Sequence, residues 1–375
     1  MTPADDSATS AAAQRAAASP ASPAGATSPA GAPPDAGASA HADASRPPTM
    51  SDVARHAGVS RQLVSMVMRG LPGPSEASAQ AVRASARALD FRPNASARLL
   101  RQKRTRLIGF MVQTRNVFEL RVVERMLERA AEEGFHVVLG PVSATRTTDV
   151  VVSELLEQRV EALCCYNPDP ESLALHRALE TMPVVWLGER SSDPRADVVR
   201  TDDDTGLRLL VEHLVALGHT EIAYAGGLDG TVGPDRADTY RRAMSSAGRA
   251  DSIDVIEVGF GEEDGAEAAR RILRRDHLPT AVIGSSDQCG AGVRAVLAQH
   301  GVEVPGDVSV TGYDDSDVAS ISYNSLTSVR QDVELTVDAT LSAVLRRLGD
   351  PSLAPRETPT RATLVVRSST GPARS

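Results

Sequence analysis

The chain is poor in cysteine, in aromatic residues and in long apolar runs, and each scarcity argues against a class of protein. Its 375 residues include three cysteines, Cys164, Cys165 and Cys289, and only 3% aromatic residues. The cysteines have neither zinc-site nor disulfide-framework spacing, which favours a reduced, cytoplasmic location. No apolar run reaches the ~18 residues of a membrane span. The N-terminus lacks the basic-then-apolar layout of a signal peptide. We therefore expect neither a membrane protein nor a secreted one.

The chain also lacks the short motifs of several enzyme classes. It has no G-x-G-x-x-G after a predicted strand, no Walker A loop, no H-E-x-x-H and no G-x-S-x-G. Asp202–Asp204 precedes a predicted helix, which indicates capping and interaction with the helix dipole. Asp314, Asp315 and Asp317 follow a predicted strand, which indicates turn chemistry. We expect no enzymatic activity, no cofactor and no metal site.

Charge is distributed unevenly along the chain. The net charge is −9, yet residues 46–106 hold 12 arginine and lysine residues against three acidic ones, which gives this segment +9. Residues 1–45 carry −3, so residues 107–375 carry −15. A basic segment joined to an acidic body is typical of a protein that contacts nucleic acid with one end.

Residues 1–48 are dominated by alanine, proline, serine and glycine. Such a segment cannot bury enough apolar surface to offset the entropy lost on ordering. We expect a disordered extension, to which the sequence assigns no function. The rest of the chain is long enough for two or more domains, and 41% hydrophobic content supports sizeable cores.

The stretch Thr49–Gly70, TMSDVARHAGVSRQLVSMVMRG, predicts two short helices joined by a tight turn. Thr49 can cap the first helix with Asp52 at the reciprocal capping-box position, and Gly58 ends it. Ser60 can cap the second helix. Its two faces differ, with Leu63, Val64, Val67 and Met68 on one side and Arg61, Gln62, Ser65, Met66 and Arg69 on the other. This is how a helix-turn-helix presents its recognition helix to the major groove. A small helical hairpin with a solvated polar face is the alternative.

Two further features favour the DNA-binding alternative. Ser75 can cap a third helix that ends near Leu89, so three short helices would share one small core. Basic residues continue after it, through Gln-Lys-Arg-Thr-Arg106. We predict a compact headpiece followed by a basic linker.

Beyond Leu107, short apolar strands alternate with helical stretches. The predicted strands are 107–112, 136–142, 162–166, 183–188, 221–227, 254–260, 280–286, 307–315 and 362–368. The predicted helices are 118–133, 148–158, 205–217, 235–247, 264–275 and 289–300. This alternation is typical of parallel sheets with helices on both faces, and its length fits two such units side by side. Ligands of these folds bind beyond the carboxyl ends of the strands.

Several longer motifs follow one another along the chain in a recognisable order. They are TMSDVARHAGVS followed by QLVS, FRPNASARLL, RTRLIGFMV, VEHLVALGH, SSDQCGAGV, VPGDVSVTGYDD and LTSVRQD. In these motifs the chain resembles the lac-repressor (LacI/GalR) family of bacterial transcription regulators. The resemblance covers the chain from about Thr49 to its end.

The resemblance implies an all-α helix-turn-helix headpiece at 49–93, a hinge helix and linker at 94–106, and an α/β core at 107–375. The core would have the type I periplasmic-binding-protein-like fold, with two doubly wound parallel-sheet subdomains that bind an effector and mediate dimerisation. The chain would cross between the subdomains three times. We place subdomain 1 at about 107–198 and 318–349, and subdomain 2 at about 199–317 and 356–369.

The resemblance also implies which residues contact DNA. Arg61 and Gln62 would read bases, because arginine pairs bidentately with guanine and glutamine with adenine. A phosphate contact is the alternative for Arg61. Ser60, Ser65 and Ser75 would contact phosphates, and helix capping is a compatible alternative for Ser60 and Ser75. The full predicted set is Thr49, Ser60, Arg61, Gln62, Ser65, Met66, Arg69, Ser75, Asn94, Ala97 and Leu100.

In the hinge helix, Leu100 would wedge into the central base step from the minor groove and bend the duplex. Asn94 would cap this helix, and Ala97 would lie on the same face as Leu100. Ordinary core packing is the alternative for Leu100. Met66 and Arg69 stand where the family commonly has other residues, so the operator sequence is left open.

In the core, family positions that line the effector cleft correspond to Phe118, Asp169, Arg236, Phe260 and Asp287. Arg236 would supply forked donors, Asp287 would accept from hydroxyl groups, and the two phenylalanines would offer flat faces to a sugar ring. The alternatives are a surface ion pair for Arg236, a helix cap for Asp287 and core packing for the phenylalanines.

The sequence therefore predicts a homodimeric repressor that binds a palindromic DNA operator and responds to a small, sugar-like effector. A solute-binding protein shares the core fold but has no use for residues 49–106, and it would require export. An enzyme of the doubly wound type is disfavoured by the missing motifs. The sequence does not identify the effector or the operator.

Overall fold

The computed structural model describes residues 46–91, 104–191, 193–228, 230 and 232–374. The chain divides into two compact units between Ala95 and Ser96. The predicted DNA contacts Asn94, Ala97 and Leu100, like the extension up to residue 45, lie outside the described residues.

The described part of the first unit contains three helices, Met50–Ala57 (α1), Arg61–Met68 (α2) and Glu76–Ala88 (α3). All three predicted caps are confirmed. Thr49 and Asp52 form a capping box on α1, while Ser60 caps α2 and Ser75 caps α3. The helices share a small core of Val53, Ala54, Val64, Val67, Ala79, Val82, Ala86 and Phe91.

The second unit alternates strands and helices, as predicted. Its strands are Leu107–Gln113 (β1), His136–Val142 (β2), Ala162–Tyr166 (β3), Val184–Leu187 (β4), Asp197–Thr201 (β5), Ile222–Ala225 (β6), Asp254–Ile256 (β7), Ala281–Gly284 (β8), Ser309–Asp314 (β9), Thr327–Gln331 (β10), Glu357–Thr360 (β11) and Ala362–Val365 (β12). Its helices are Val117–Glu132 (α4), Thr148–Glu157 (α5), Leu173–Thr181 (α6), Asp203–Ala216 (α7), Val232–Ser246 (α8), Glu262–Leu273 (α9), Asp287–Gln299 (α10), Asp317–Ser320 (α11) and Val333–Gly349 (α12). A short 3-10 helix spans Ala250–Ser252.

The strands form two six-stranded sheets, which define two subdomains. The first sheet has the order β11-β5-β4-β3-β1-β2 and is parallel throughout. The second has the order β12-β10-β9-β8-β6-β7 and is parallel except for β12, which pairs antiparallel with β10. Two doubly wound subdomains are therefore confirmed.

The predicted points at which the chain changes subdomain need correction. β10 belongs to the second sheet, although we placed residues 318–349 in subdomain 1. β11 belongs to the first sheet, although we placed 356–369 in subdomain 2. The chain crosses at Asp202, between β10 and α12, and at Arg361 between β11 and β12. Each crossing lies within a short polar stretch, so hydrophobic periodicity could not locate it.

Each sheet is covered by apolar helix faces. α4 and α12 pack on the first sheet around Phe110, Val122 and Val337. α9 and α10 pack on the second around Val282 and Val293. The carboxyl ends of β1 and β3 in the first sheet, and of β9 and β10 in the second, lie near the boundary between the two subdomains. The candidate effector site described below lies in this region.

Candidate nucleic-acid interface and candidate effector site

Helix α2 presents a polar face because its apolar face is used in the headpiece core. Val64 and Val67 are buried, whereas Arg61 and Gln62 are exposed at the start of the helix. Arg69 is also exposed, and its Nε donates to the Ser65 carbonyl at 3.1 Å. The predicted division into an inward and an outward face is confirmed for these residues.

Two residues of the predicted polar face are less accessible than expected. Ser65 and Met66 are half-buried. The Met66 methyl carbon lies against the following loop, 3.0 Å from where a Cβ on Gly73 would stand. Contact of Met66 with a base remains a prediction, but part of its side chain supports the loop.

The capping side chains already have backbone partners. Ser60 Oγ accepts from the Leu63 amide at 3.2 Å, and Ser75 Oγ accepts from the Ser78 amide at 3.3 Å. Thr49 Oγ1 donates to Asp52 Oδ2 at 2.6 Å. All three side chains belong to exposed residues. The capping alternative is therefore confirmed. The Ser75 hydroxyl also donates to Ser78 Oγ at 3.0 Å, so a phosphate contact by Ser75 would have to replace that bond.

In the second unit, Arg236 is the centre of a buried polar cluster. It lies on α8 and is only 6% exposed. Its Nε donates to Asp203 Oδ1 at 3.3 Å and its Nη1 donates to the Ser285 carbonyl at 3.0 Å. Its guanidinium lies 4.1 Å from the ring centre of Tyr313 and 5.7 Å from that of Phe260. The structure thus brings together two of the five predicted effector residues, Arg236 and Phe260.

The neighbours of Arg236 keep it charged. Burial opposes the charged guanidinium, but Asp203 acting together with Tyr313, Asp314 and Tyr224 outweighs that effect, so the pKa of Arg236 lies above its ordinary value. Tyr313 donates its hydroxyl to the same Asp203 oxygen at 2.5 Å. The surface ion pair that was the alternative for Arg236 is excluded by its burial.

Asp314 was interpreted as a turn residue, and this was wrong. It is the last residue of β9 and is buried, and its Oδ1 accepts from Gln331 Nε2 at 2.6 Å. Burial, and then the nearby Asp287 carboxylate, raise the pKa of Asp314 to about 8. Its position at the carboxyl end of a strand is the one signal that could have identified it from the sequence.

Asp315 was also misinterpreted as a residue of turn chemistry alone. Its carboxylate is 6% exposed and accepts from Arg330 Nε at 2.7 Å and from Arg367 Nη2 at 2.6 Å. Its carbonyl accepts from Arg121 Nη1 of α4 at 2.9 Å, which ties the two subdomains together.

Glu119 joins this region from the first subdomain and was missed by sequence reasoning. It lies in the first turn of α4, is 1% exposed, and its Oε2 accepts from the Gln113 amide at 2.7 Å. Burial, with a contribution from Asp314, raises the pKa of Glu119 to about 8. Tyr166, at the end of β3, interacts electrostatically with both carboxyl groups, and burial raises the pKa of its hydroxyl well above the ordinary value.

Asp287 does not have the accessibility expected of an effector ligand. Its side chain is fully buried at the start of α10. Its Oδ2 accepts from the Ser316 amide at 2.6 Å and from Ser316 Oγ at 2.8 Å, while its Oδ1 accepts from Ser328 Oγ at 2.5 Å. Both oxygens are occupied by protein donors. We therefore correct its predicted role: Asp287 holds the loop after β9 in place.

Phe118 and Asp169 also have local structural roles. Phe118 is buried in the core of the first subdomain, with its ring edge-on to Tyr166 at 6.5 Å. Core packing, the alternative that we had left open, describes it. Asp169 is exposed after β3, and its Oδ1 accepts from the Glu171 amide at 3.0 Å, which forms a turn. An effector contact by Asp169 stays a prediction.

A cavity of about 320 Å³ adjoins the cluster at Asp203. It is lined by Gly188, Glu189, Arg190, Arg200, Asp203, Asp204, Val232, Asp235, Asp238, Thr239 and Arg242. Its volume is at the small end of the range for small-molecule pockets. Within the described ranges, no three His, Cys, Asp or Glu side chains are grouped so that they could hold a metal ion. None of the helices in the described part of the chain is long and apolar enough to cross a lipid bilayer.

Comparison with known proteins matches both units. Residues 49–94 match the family model of bacterial regulatory proteins of the lacI family, and residues 211–370 match the periplasmic binding protein-like domain. The lactose operon repressor of Escherichia coli (strain K12) is 30% identical over 307 residues, which cover 80% of this chain and 85% of that protein.

Two solved structures extend the similarity to three dimensions. The lac repressor dimer bound to operator and the anti-inducer ONPF has a TM-score of 0.75 and 27% identity, and the match covers 87% of this chain and all of that chain. The complex of the transcriptional regulator CelR with cellobiose has a TM-score of 0.65 and 28% identity, and the match covers 86% of this chain and 99% of that chain.

Proposed function

The chain belongs to the LacI family of bacterial regulatory proteins, and from this membership we propose that it is a dimeric transcriptional repressor. Each headpiece binds half of a palindromic operator, and each core binds a small, sugar-like effector. Because operator DNA lies in the bacterial cytoplasm, the protein acts there. The observation that carries the proposal is the exposed Arg61–Gln62 edge of α2 on a three-helix headpiece.

Two headpieces are needed because the base-contacting surface of a single α2 is small. One α2 presents few base-reading side chains, so a single headpiece would contact only a short half-site. A two-fold dimer doubles that contact and requires a symmetric operator. The related lac repressor structure is a dimer bound to operator, which supports the same arrangement here.

The effector site lies where polar groups from both subdomains meet. Arg236, Tyr313 and Phe260 come from the second subdomain and Tyr166 from the first. The CelR relative is solved with cellobiose, which supports a sugar-like ligand at this place. A ligand that binds between two subdomains can favour one relative arrangement, and linkage then couples it to operator affinity.

Fluorescence anisotropy with labelled palindromic duplexes that carry a central CpG tests this function. The full chain should bind one such duplex far more tightly than scrambled DNA of equal length, and one member of a sugar panel should change that affinity. Equal affinity for all duplexes, with and without sugars, would refute the proposal.

Arg61→Ala is the sharpest variant, because arginine paired with guanine contributes about 1–3 kcal/mol of discrimination. It should relax the preference at one base pair in each half-site and leave the others unchanged. Arg83→Ala removes a charge that is also exposed, from α3, and should not change base preference. Uniform loss of affinity at every position in Arg61→Ala would make Arg61 a phosphate contact.

A further inference from the structure

The buried groups near Arg236 include more carboxylates than cations. Asp203 already engages Arg236 and the Tyr313 hydroxyl. Arg236 also acts electrostatically on Asp314, but burial and the neighbouring Asp287 outweigh it. Glu119 Oε2 accepts from the Gln113 amide at 2.7 Å, while its Oε1 has no partner among the described residues. The charge of the arginine is therefore largely matched by Asp203, while neither Glu119 nor Asp314 forms an ion pair with a described residue.

Two buried polar atoms in this region also lack a hydrogen-bond partner. Within the described residues, Glu119 Oε1 and the Tyr166 hydroxyl are inaccessible and unpaired. Tyr166 interacts electrostatically with both Glu119 and Asp314, so the three groups lie near one another at the subdomain boundary. Unpaired buried polar atoms are costly, and they are expected where a ligand or water completes the site.

The adjoining cavity is acidic as well. Five of its lining residues are carboxylates and three are arginines. The arginines have carboxylate partners: Arg242 contacts Asp204 at 2.6 Å, Arg200 contacts Glu357 at 2.6 Å, and Arg190 lies 3.5 Å from Asp204. Carboxylates thus outnumber arginines in the lining of this cavity, which suits a cationic ligand better than an acidic one.

We propose that the effector carries an ammonium group, and that Glu119 and Asp314 select it over neutral and acidic analogues of the same size. This inference rests on the proposed function, in which the core binds a small effector. An ammonium group offers three donors and no acceptor, which suits carboxylate and tyrosine oxygens. A carboxylate or phosphate ligand offers no such donors, and its negative charge would oppose the ionisation of Glu119 and Asp314.

The first test uses the ligand-free protein. Because Glu119 ionises by releasing a proton, its environment can be measured as a dependence of stability on pH. The groups that act on it are Asp314 and Tyr166, and those that act on Asp314 are Asp287, Arg236 and Asp203. The pKa of Glu119 is about 8 in the folded protein against 4.5 as the ordinary value. The stability that the protonated Glu119 side chain gives to the folded protein is thus fully present below pH 4.5. It is lost as the pH rises through about 8.

Glu119→Gln should abolish this loss of stability at high pH, since glutamine resembles the protonated acid and does not ionise. From pH 5 the melting temperature of Glu119→Gln should rise relative to that of the unaltered chain, and the difference should level off above about pH 8. Glu124→Gln, on the exposed side of the same helix, should follow the unaltered chain at every pH. If Glu119→Gln also follows it, Glu119 is not held in an acidic cluster and the proposal fails.

The second test uses ligands of matched shape. Glucose, galactose and mannose are each compared with the 2-amino sugar and the uronic acid of the same skeleton, by thermal shift and calorimetry at pH 7.5. At least one amino sugar should bind at least tenfold more tightly than its neutral parent, and the acids should bind weakest. Glu119→Gln should abolish that tenfold preference, and Glu124→Gln should retain it.

Two results would overturn the inference. One is equal or tighter binding of a neutral or acidic sugar, and the other is a complete lack of response to amino sugars. Operator binding is measured on the same preparations. If operator binding holds while the amine preference is absent, only this inference fails; if operator binding is also absent, the proposed function fails.

Discussion

At the scale of single residues, burial and available partners decide the role of each acidic side chain. Asp287 and Asp314 are both buried aspartates at the carboxyl edge of the second sheet. Asp287 has three protein donors on its two oxygens, whereas Asp314 has Gln331 on one oxygen. Burial raises the pKa of Asp287 to about 6 and that of Asp314 to about 8. The better-satisfied residue is structural, and the less satisfied one interacts electrostatically with Arg236 of the candidate effector site.

Replacing Asp287 should therefore destabilise the core. Asp287→Ala leaves the Ser316 amide and the hydroxyls of Ser316 and Ser328 without their acceptor, and each buried unsatisfied group costs about 1–3 kcal/mol. We expect the free energy of unfolding, measured with urea, to fall by about 3 kcal/mol or more. Asp287→Asn keeps one acceptor oxygen and should lose less.

Asp276→Ala, in an exposed loop, is the matched control and should leave the urea midpoint unchanged. An Asp287→Ala variant as stable as this control would show that the three donors find water instead.

Part of the candidate site could be predicted at this scale. Arg236 and Phe260 were correctly placed together. Phe118 and Asp287 could not be distinguished from core residues, because an apolar or capping residue has the same sequence pattern whether its neighbour is protein or ligand. Glu119 gave no signal, since the Asp314 carboxyl group that acts on it lies almost two hundred positions away in the chain.

At the scale of elements, helices α9 and α10 are packed so closely that glycine is required at their contact. A Cβ at Gly265 would stand 1.9 Å from the Cys289 carbonyl oxygen, and one at Gly292 would stand 1.9 Å from the Glu262 carbonyl oxygen. Both clashes are with backbone, so neither can be relieved by rotating a side chain. The two glycines set the spacing of a helix pair that covers the second sheet.

Alanine at either position should destabilise the protein, although alanine is favoured over glycine within helices by about 1 kcal/mol. The helices must separate to admit the methyl group, which opens the apolar contacts between them. We expect Gly265→Ala and Gly292→Ala each to lower the melting temperature by several degrees, which corresponds to about 2 kcal/mol for a domain of this size. Differential scanning calorimetry measures this.

Gly349→Ala provides the control, because this glycine ends α12 and has no atom within 4 Å of the added Cβ. Its melting temperature should stay the same or rise slightly. A Gly265→Ala variant that behaves like Gly349→Ala would mean that the α9–α10 contact is looser than described.

Most helices and strands could be predicted because their hydrophobic periodicity is strong. The strands that were not predicted, such as β5, show where this signal fails. β5 contains Asp197, which is 1% exposed and would break an apolar pattern. It is tolerated because Arg346 contacts it at 2.5 Å and Arg347 at 3.2 Å, both from α12. A buried charge is stable only when paired, and the partners lie about 150 positions further along the chain.

At the scale of the whole molecule, charge is separated between a basic segment and an acidic core. Residues 46–106 carry +9 and residues 107–375 carry −15. The acidic core, residues 107–375, is repelled by DNA phosphates, whereas the basic segment is attracted, so the charge distribution disfavours binding through the core. The sequence alone was sufficient for this conclusion, because it depends on counts and not on contacts.

Operator affinity should accordingly depend steeply on salt. Each phosphate neutralised by the protein releases counterions, so log K falls with log salt at a slope of about −0.9 per phosphate. With on the order of 6–10 phosphate contacts for a dimer, affinity should drop by about 10³–10⁵ between 50 and 200 mM salt. Anisotropy titrations across this range measure the slope.

The same slope separates the two roles left open for Arg61. If Arg61 pairs with a base, Arg61→Ala loses affinity at its cognate base pair and keeps the parental slope. If it contacts a phosphate, the slope falls by about 1 for each contact removed, for every sequence alike. Arg69→Ala, an exposed position at the end of the same helix, calibrates the effect of losing one charge there. A slope close to zero for the unaltered chain would contradict phosphate-driven docking altogether, because a basic headpiece cannot approach duplex DNA without displacing its counterions.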